Sequence, residues 1–454
     1  MDNAAIPDEQ IIYARIEEVF DHGIRRPGYP ADEWATEYCR DLFVQFGLAN
    51  VRLEPVELPK WEPRSWSLDV STDSGDTLNI PCFPLPHSAP TEGLEAPLVS
   101  FEATDPSRVE GRIALYEVTL MRSRQAALSA LATFTFDPDG AFSDSTQVLP
   151  FGREIQAVME PAIQAGAVGF VGVLKDYPSD SHDYYVPYDG LQRPIPGVWI
   201  SGSDGQTLTA VLEGGSATAR IEVDSIRETI TTYNVVGELP GADEETVIIG
   251  SHHDGPWASA VEDGSGIALV IAQADYWATV PQSERPHRLL FLLNSGHMAG
   301  GAGAEAFIAA HESDLEHTVL ELHLEHAANE CEEDEEGRLV PTGHPETRWW
   351  FTSRNPQLQQ SVAGAIEAER LDRSLVIPPD AFGPRPTTDG GAFHLAGVPL
   401  VNYLTAPFYL FDSQDTMDKI HRPSLVAVTR AAIRIVESTT GVSAAEMRSG
   451  VATA

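Results

Sequence analysis

Apolar positions in the first part of the chain repeat with the period of a helix and then with that of a strand. Between Glu9 and Phe46 they recur every three or four residues, which predicts two helices separated by Gly28–Pro30. The segments Asn50–Leu58 and Ser65–Thr72 then alternate apolar and polar residues, as half-buried strands do. This part of the chain is therefore predicted to contribute two helices and two strands.

The middle of the chain, from about Pro84, is richer in proline and glycine, and its apolar runs are short. Glu154–Ala165 favours a helix, whereas the other runs favour strands. The strand-like runs are PLVSF, RIALYEV, VGFVGVL, PIPGVWIS and ARIEV. This pattern predicts a small α/β module at residues 66–224, inserted into a larger domain made of residues 1–65 and 225–454. We expect the module to form part of the wall of any pocket at the strand ends.

After about Thr231 the apolar runs become nearly continuous and alternate with helical patterns. The strand-like runs are TVIIGSH, RLLFLLNSG, TVLELHLEH and PLVNYL, and the helical stretches are Gly264–Ala278, Gly303–Ala310 and Pro356–Glu369. Continuous apolar strands that alternate with helices are typical of a parallel sheet buried on both faces. The predicted fold class is therefore α/β, with a mixed, mainly parallel sheet and helices on both faces.

The composition narrows the range of partners. With 29 basic and 68 acidic residues the net charge is −39, so nucleic acid and anionic membrane surfaces would be repelled. The three cysteines form no disulfide framework, and the N-terminus lacks the basic start and the apolar run of a signal peptide. No apolar run reaches the roughly 18 residues of a membrane helix. The sequence predicts a soluble cytoplasmic protein that acts on a small or peptide-like molecule and could form a homodimer.

Polar side chains collect where the apolar strands of the third section end. The four clusters are His252–Asp254, Asn294–Met298, Glu325–His326 and Thr388–Gly391. Ligands of parallel sheets bind at the carboxyl ends of the strands, so the clusters predict a functional site at that edge. Buried charge in such a place is costly unless it is paired or bound to a metal ion.

The residue types in these clusters favour a hydrolytic metal site. Such a site needs nitrogen and oxygen ligands from several strand ends, an open position for water and a nearby base. The imidazole of His252 and the carboxylates of Asp263 and Glu325 could supply the ligands. Asp254 could orient His252. A single histidine at a strand end is more often structural, but four clusters on one edge favour a site.

Five motifs follow one another between Tyr233 and Glu437. They are VIIGSHHDG, EDGSGIALVIAQA, LLFLLNSGHMAGGAGAEAF, TTDGGAFHLAGVP and FDSQDTMDKI. Their order and spacing resemble those of the co-catalytic zinc exopeptidases, the group that contains bacterial zinc aminopeptidases and glutamate carboxypeptidases. The inserted module, with EGRIALYEV and AIQAGAVGFVGVL, resembles the protease-associated domain. The resemblance implies a zinc exopeptidase fold and a hydrolase that cleaves an amide or related bond in a small peptide-like substrate.

The family binds two zinc ions, and the resemblance carries over only one of the two sites. It places one ligand at His252, the carboxylate that bridges both metals at Asp263, and a further acid at Glu325. The ligands that belong to the second metal alone fall on Met298 and Phe411, which are apolar. The resemblance therefore implies one divalent ion per chain, zinc first, with manganese or iron as alternatives.

The general base of the family, a glutamate, falls on His297 in this chain. Imidazole titrates near neutral pH, so His297 could serve as the base or as a fourth metal ligand. Asp254, the orienting acid, completes the predicted catalytic pair. Glu262 lies beside the predicted ligand Asp263. It is interpreted as a hydrogen-bond acceptor that contacts the metal ligands without binding the metal itself.

Four residues are predicted to contact the substrate. Arg385 is the one cation in the loop before the TTDGGAF motif, where it could hold a substrate carboxylate or form a surface ion pair. Asp389 lies within that motif, and His253 and His326 lie beside the predicted ligands. Two other functions remain open: a lyase or cyclase with a single metal ion, and a non-catalytic pseudoenzyme that keeps the fold as a binding module.

Overall fold

The computed structural model describes residues 3–102, 105–152 and 157–449. The strands β1 to β19 are, in chain order, Ala49–Thr72, Thr77–Ile80, Phe83–Pro84, Thr91–Ser100, Ile113–Thr119, Arg122–Arg124, Phe134–Phe136, Thr146–Val148, Gly169–Lys175, Gly197–Ile200, Ala217–Leu239, Thr246–His252, Arg288–Asn294, Thr318–Leu324, Asn329–Glu333, Leu339–Pro345, Arg348–Thr352, Ser374–Ile377 and Leu400–Thr405. The helices α1 to α12 are Glu9–Asp21, Pro30–Gln45, Gln125–Ser129, Glu160–Gln164, Gly202–Gly214, Gly266–Thr279, Ala302–Ala310, Glu312–Leu315, Pro356–Glu369, Gly391–Leu395, Arg422–Glu437 and Ala444–Ser449. In the part of the chain that the structure describes, no helix has both the length and the apolar character to cross a bilayer.

One mixed sheet runs through the described structure. Its strands follow the order β3-β10-β9-β5-β4-β11-β13-β12-β14-β19-β17-β18-β7, and β1 pairs with β11 and β2. The central strands β13, β12, β14 and β19 are parallel to their neighbours within this set. These are the four strands whose sequences are nearly continuously apolar, because both faces of a parallel sheet are covered. The predicted α/β fold with a mixed, mainly parallel sheet is confirmed.

Alternate residues of the central strands enter two cores on opposite faces of the sheet. Val247 and Ile249 of β12 pack in the cluster that includes side chains of α6, α9 and α11. Ile248, between them, belongs to a cluster with Phe307 of α7 and Phe393 of α10. Because successive side chains of a strand point to opposite sides, helices cover both faces, as predicted.

Two long antiparallel strands connect the predicted domains. β1 and β11 pair along most of their length, with a register shift between Pro63 and Ser65. The two N-terminal strands that were predicted separately are therefore one strand, and its prolines are tolerated because the part of β1 that carries them pairs only with β11. The boundaries 65/66 and 224/225 fall inside β1 and β11, and β7 of the inserted segment pairs with β18. The division into two domains remains a prediction.

The helices of the third section lie close to where the sequence places them. α9 spans the predicted residues Pro356–Glu369, and the side chain of Asn355 caps it by accepting hydrogen bonds from two NH groups of its first turn. α4 of the inserted segment, in contrast, begins only at Glu160. Residues 154–156 of that predicted helix lie outside the described residues.

Candidate metal centre

The carboxyl ends of β12, β13 and β14 bring ionisable side chains to one edge of the sheet. His252 ends β12, His297 follows β13, Glu325 follows β14, and Glu262 lies in the turn that leads into α6. His252, Glu262 and Glu325 are at most 1% exposed. The side chain of His297 is 15% exposed. The cluster is therefore buried and charged, with His297 on its open side.

His252 presents one bare ring nitrogen to this cluster. Its Nδ1 donates a hydrogen bond to the backbone carbonyl of Asp254 over 2.9 Å, which leaves a lone pair on Nε2. Nε2 is buried without a hydrogen-bond partner among the described residues. It lies 3.4 Å from Glu262 Oε1 and 3.3 Å from Asp389 Oδ2. Burial alone would lower the pKa of His252, but Asp254 and Glu262 raise it well above its ordinary value.

Glu262 and Asp263 are joined by a cis peptide bond, and their carboxylates have different partners. Asp263 accepts a hydrogen bond from the Ser251 hydroxyl and another, of 3.0 Å, from the backbone NH of Gly266. Neither oxygen of Glu262 has a hydrogen-bond partner among the described residues, although both are buried. The Glu262 carboxylate thus faces ring nitrogens of histidines, whereas both Asp263 oxygens accept hydrogen bonds from Ser251 and Gly266.

The turn that carries Glu262 is held from two sides. The fully buried Arg25 donates to the backbone carbonyls of Ser259 and Glu262 over 2.9 and 3.3 Å. The carboxylate of Asp415 accepts hydrogen bonds from the NH groups of Val261 and Glu262, over 2.8 and 2.9 Å. Backbone contacts of this kind fix the direction of the Glu262 side chain.

His326 contacts the second oxygen of Glu262. Its Nδ1 donates to the backbone carbonyl of Thr405 over 2.7 Å, and its Nε2 lies 2.5 Å from Glu262 Oε2. At this distance the two atoms either share a proton or converge on a cation. With a proton, burial opposes the charge, but the Glu262 carboxylate raises the pKa of His326 to about 10.

His297 stands between two carboxylates and the open side of the cluster. Its Nδ1 lies 3.1 Å from Asp389 Oδ2 and its Nε2 3.7 Å from Glu262 Oε1. Its ring stacks on that of His252 with 4.3 Å between centroids. The carboxylate of Asp254 accepts the backbone NH groups of His297 and the next residue, so this predicted orienting acid positions both histidines. Burial lowers the pKa of His297.

Glu325 lies beside a histidine that the sequence pattern did not single out, His323. Ligand atoms of Glu325, His323 and Asp389 lie within 4.8 Å of one another. A second set, with ligand atoms within the same distance, consists of His252, Glu262 and His297. We name these sets the His323 group and the His252 group. Burial, together with the charge of Asp389, raises the pKa of the Glu325 carboxyl to about 8.

His253 is turned away from both groups. Its Nδ1 lies 2.9 Å from Asp32 Oδ1, and its Nε2 lies 2.9 Å from the backbone carbonyl of Tyr233. Met298 and Phe411, at the positions of the second metal in the family, are buried and belong to an apolar cluster. The structure therefore separates His253 from the other predicted site residues.

A cleft of about 1260 Å³ opens over the exposed side of His297. Asp389, Arg385, Tyr188 and Asp189 contribute to its lining. Tyr188 and Asp189 belong to the segment 66–224, so this segment forms part of the pocket wall, as expected. The cleft leads to the His252 group and offers space for a small substrate.

Three residues of this edge were not selected from the sequence. His323 belongs to the His323 group, Asn402 donates to Glu325 Oε1, and Arg25 holds the turn at Glu262. Only His323 leaves a local signal. Glu321, His323 and Glu325 alternate along a strand that is otherwise apolar, and this period of two places three ionisable groups on one face.

The His252 group has the donors of a metal site. Its imidazole and carboxylate atoms converge, they are buried, and Nε2 of His252 and both oxygens of Glu262 lack hydrogen-bond partners among the described residues. Buried polar groups of this kind are costly unless something binds them. Nitrogen and oxygen ligands in a small set suit zinc, so the residues present fit the metal that the sequence predicts.

Comparisons with known proteins relate this chain to a family of peptidases. Residues 234–436 match peptidase family M28. A probable leucine aminopeptidase 2 from Aspergillus oryzae is 25% identical over 304 residues, which are 65% of this chain and 53% of that protein. Carboxypeptidase Q from Mus musculus is 23% identical over 341 residues, 71% of this chain and 63% of that protein. Both matches cover less than two thirds of the length of the relative.

Two solved structures share the fold over nearly the whole chain. A peptidase M28 precursor from Shewanella amazonensis has a TM-score of 0.71 at 21% identity, covering 95% of this chain and 93% of that chain. A zinc aminopeptidase from Bacillus subtilis has a TM-score of 0.67 at 17% identity, covering 94% and 95%. At these identities the likeness concerns the fold. Residues 234–436 of this chain match peptidase family M28, and this match confirms the resemblance to the zinc exopeptidases in the sequence motifs.

Proposed function

We propose that this chain is a metal-dependent hydrolase that cleaves an amide bond in a small peptide-like substrate, with a divalent ion bound by His252 and Glu262. The observation that carries the proposal is that Nε2 of His252, which lacks a hydrogen-bond partner among the described residues, faces the buried carboxylate of Glu262 beside a cleft. The names of the M28 relatives support peptides as the substrate class. Zinc suits the nitrogen and oxygen donors, and manganese and iron are the alternatives.

The chain supplies the base and its orientation. A zinc ion in the His252 group would polarise the substrate carbonyl and make water more acidic. Asp389, 3.1 Å from Nδ1 of His297, favours a proton on that nitrogen and leaves Nε2 free to accept one. His297 borders the cleft, so Nε2 could take the proton of the attacking water and return it to the leaving amine.

Removal of the metal is expected to abolish hydrolysis reversibly. The full chain would be assayed with aminoacyl anilides and dipeptides, before and after dialysis against a chelator and after addition of zinc. Activity should disappear with the metal and return with it, because the ion provides several kcal/mol of transition-state stabilisation. Full activity at a metal content near zero would contradict the proposal.

The same assay separates the other functions. Mass spectrometry that detects a cyclised or eliminated product, instead of two hydrolysis products, would identify a lyase or cyclase. A protein that carries metal but converts none of the substrates in the panel would favour the binding module.

Arg385→Ala is expected to raise KM by about tenfold for peptides with a free C-terminal carboxylate, because these peptides lose one exposed charge-assisted hydrogen bond. Arg385 is exposed in the wall of the cleft and forms no ion pair among the described residues. Peptides with an amidated C-terminus provide the internal control, and their KM should not change. An equal change for both kinds of peptide would show that Arg385 does not bind the carboxylate.

A further inference from the structure

Glu321, His323 and Glu325 occupy alternate positions on β14 and just beyond its end. Each of them is at most 1% exposed. Gly250 pairs with His323 in the neighbouring strand β12. A Cβ on Gly250 would lie 3.3 Å from Glu321 Oε1 and 3.6 Å from His323 Nδ1. The neighbouring strand thus leaves room for polar side chains at this point of the sheet.

His323 is oriented like a histidine that binds a metal ion. Its Nδ1 donates to Oε1 of Glu321 over 2.8 Å. Nε2 then carries the lone pair, and it is buried with no hydrogen-bond partner among the described residues. A carboxylate behind a histidine fixes the tautomer and makes the opposite nitrogen a better ligand. The pair therefore leaves on Nε2 of His323 a lone pair that no hydrogen bond from the described residues uses.

The two carboxylates of the His323 group are held in place by Asn402. Its Nδ2 donates to Oε1 of Glu325, and its Oδ1 accepts the backbone NH of Gly390 over 2.8 Å. Gly390 follows Asp389 in the chain, so one amide side chain positions both acids. With Nε2 of His323, they form a set of donors within 4.8 Å of one another.

In the His323 group together with Glu321, three acidic side chains face one imidazole. Glu321 already accepts the hydrogen bond of His323. A protonated His323 would bring one positive charge to the three carboxylates of Glu321, Glu325 and Asp389. Buried like charges at short range are unfavourable, and a divalent cation between the donors would offset them.

We propose that His323, Glu325 and Asp389 bind a second divalent cation beside the His252 group. One nitrogen and two carboxylates suit zinc or a similar transition metal better than calcium or magnesium, which take oxygen ligands. Asp389 Oδ2 also lies 3.3 Å from His252 Nε2, so this carboxylate could contact both ions. The proposal rests on contacts that do not depend on hydrolase activity.

The second cation would not occupy the place that the family uses. Met298 and Phe411 stand at the positions of the missing ligands, and both are buried in an apolar cluster. The sequence analysis predicts one ion per chain because it considers only the positions at which the family binds its metals. His323 and Asp389 lie outside those positions. The two groups together are therefore expected to hold about two ions.

The test measures zinc bound to the full chain by elemental analysis, after loading with zinc and dialysis against metal-free buffer. The wild type is expected to retain about two ions per chain, and His323→Ala and the isosteric Glu325→Gln about one each, because each loses a direct ligand. His253→Asn is the matched control. It also removes a buried imidazole, but one that contacts Asp32 and Tyr233 instead of either group, and it should retain both ions.

A wild type that retains one ion, or a folded His323→Ala that retains two, would overturn the proposal. Circular dichroism checks the fold of each variant, and Glu325→Gln provides the result if His323→Ala does not fold. Anomalous scattering from zinc-loaded crystals should show two peaks roughly 3.5–4 Å apart, the usual spacing of paired ions. Two bound ions without any peptide hydrolysis would contradict the proposed function and support the second site.

Discussion

Glu262→Gln is expected to remove the ion of the His252 group and to lower turnover by roughly 1000-fold or more. The estimate follows from the several kcal/mol that a metal ion contributes, at about 1.4 kcal/mol for each tenfold. The substitution preserves size, and it weakens a buried contact between Glu262 Oε2 and Nε2 of His326, which lie 2.5 Å apart. Zinc content and kcat on the best substrate would be measured on the same preparation.

Asp263→Asn is the matched control for Glu262→Gln. Ser251 and Gly266 donate hydrogen bonds to the two Asp263 oxygens. The side-chain amide of an asparagine can still accept a hydrogen bond from the NH of Gly266 and donate one to the Ser251 hydroxyl. Burial raises the pKa of Asp263 to about 6, which lowers the cost of a neutral side chain there. Asp263→Asn should keep its zinc and most of its activity. The opposite pattern in the two variants would make Asp263 the ligand, as the sequence motifs imply.

His297→Ala is expected to lower kcat by roughly 100-fold or more while the zinc content stays unchanged, since general acid–base catalysis contributes about this much. His297 borders the cleft and contacts Asp389 and Glu262 through its two nitrogens. Added imidazole should restore part of the activity of the variant and should not activate the wild type. This rescue separates the loss of a base from a change in packing.

Loss of zinc together with activity in His297→Ala would instead make His297 a ligand of the His252 group. Unchanged kcat and unchanged zinc would contradict both roles. In that case His326, whose Nε2 lies 2.5 Å from Glu262, would be the next candidate for the proton carrier, and the same pair of measurements on His326→Ala would test it.

The sequence by itself determined the central sheet and the edge on which the site lies. β12, β13, β14 and β19 stand out because strands buried on both faces are continuously apolar. The helices between them stand out because their residues follow a helical pattern between the apolar strands. Ionisable residues that follow such strands, such as His252 and Glu325, can lie only at the carboxyl edge of the sheet. These are local patterns, and a single chain reveals them.

The continuity of β1 as a single strand was decided by the tertiary structure. Prolines interrupt the alternation of β1, so its two halves look like separate strands in the sequence. Its continuity comes from pairing with β11, which lies far away along the chain. Hydrogen bonds between distant segments leave no trace in the local periodicity of the sequence. For this reason the domain boundaries inferred from composition fall inside β1 and β11.

Only the tertiary structure decided which acids face which histidines. Glu262 and Asp263 are adjacent and equally buried, but Ser251 and Gly266 donate hydrogen bonds to Asp263, whereas Glu262 faces His252 and His326. Glu325 lies with His323 because Asn402, on another strand, holds it there. The direction of a buried carboxylate depends on donors supplied by packing, whereas the sequence specifies only that a carboxylate is present.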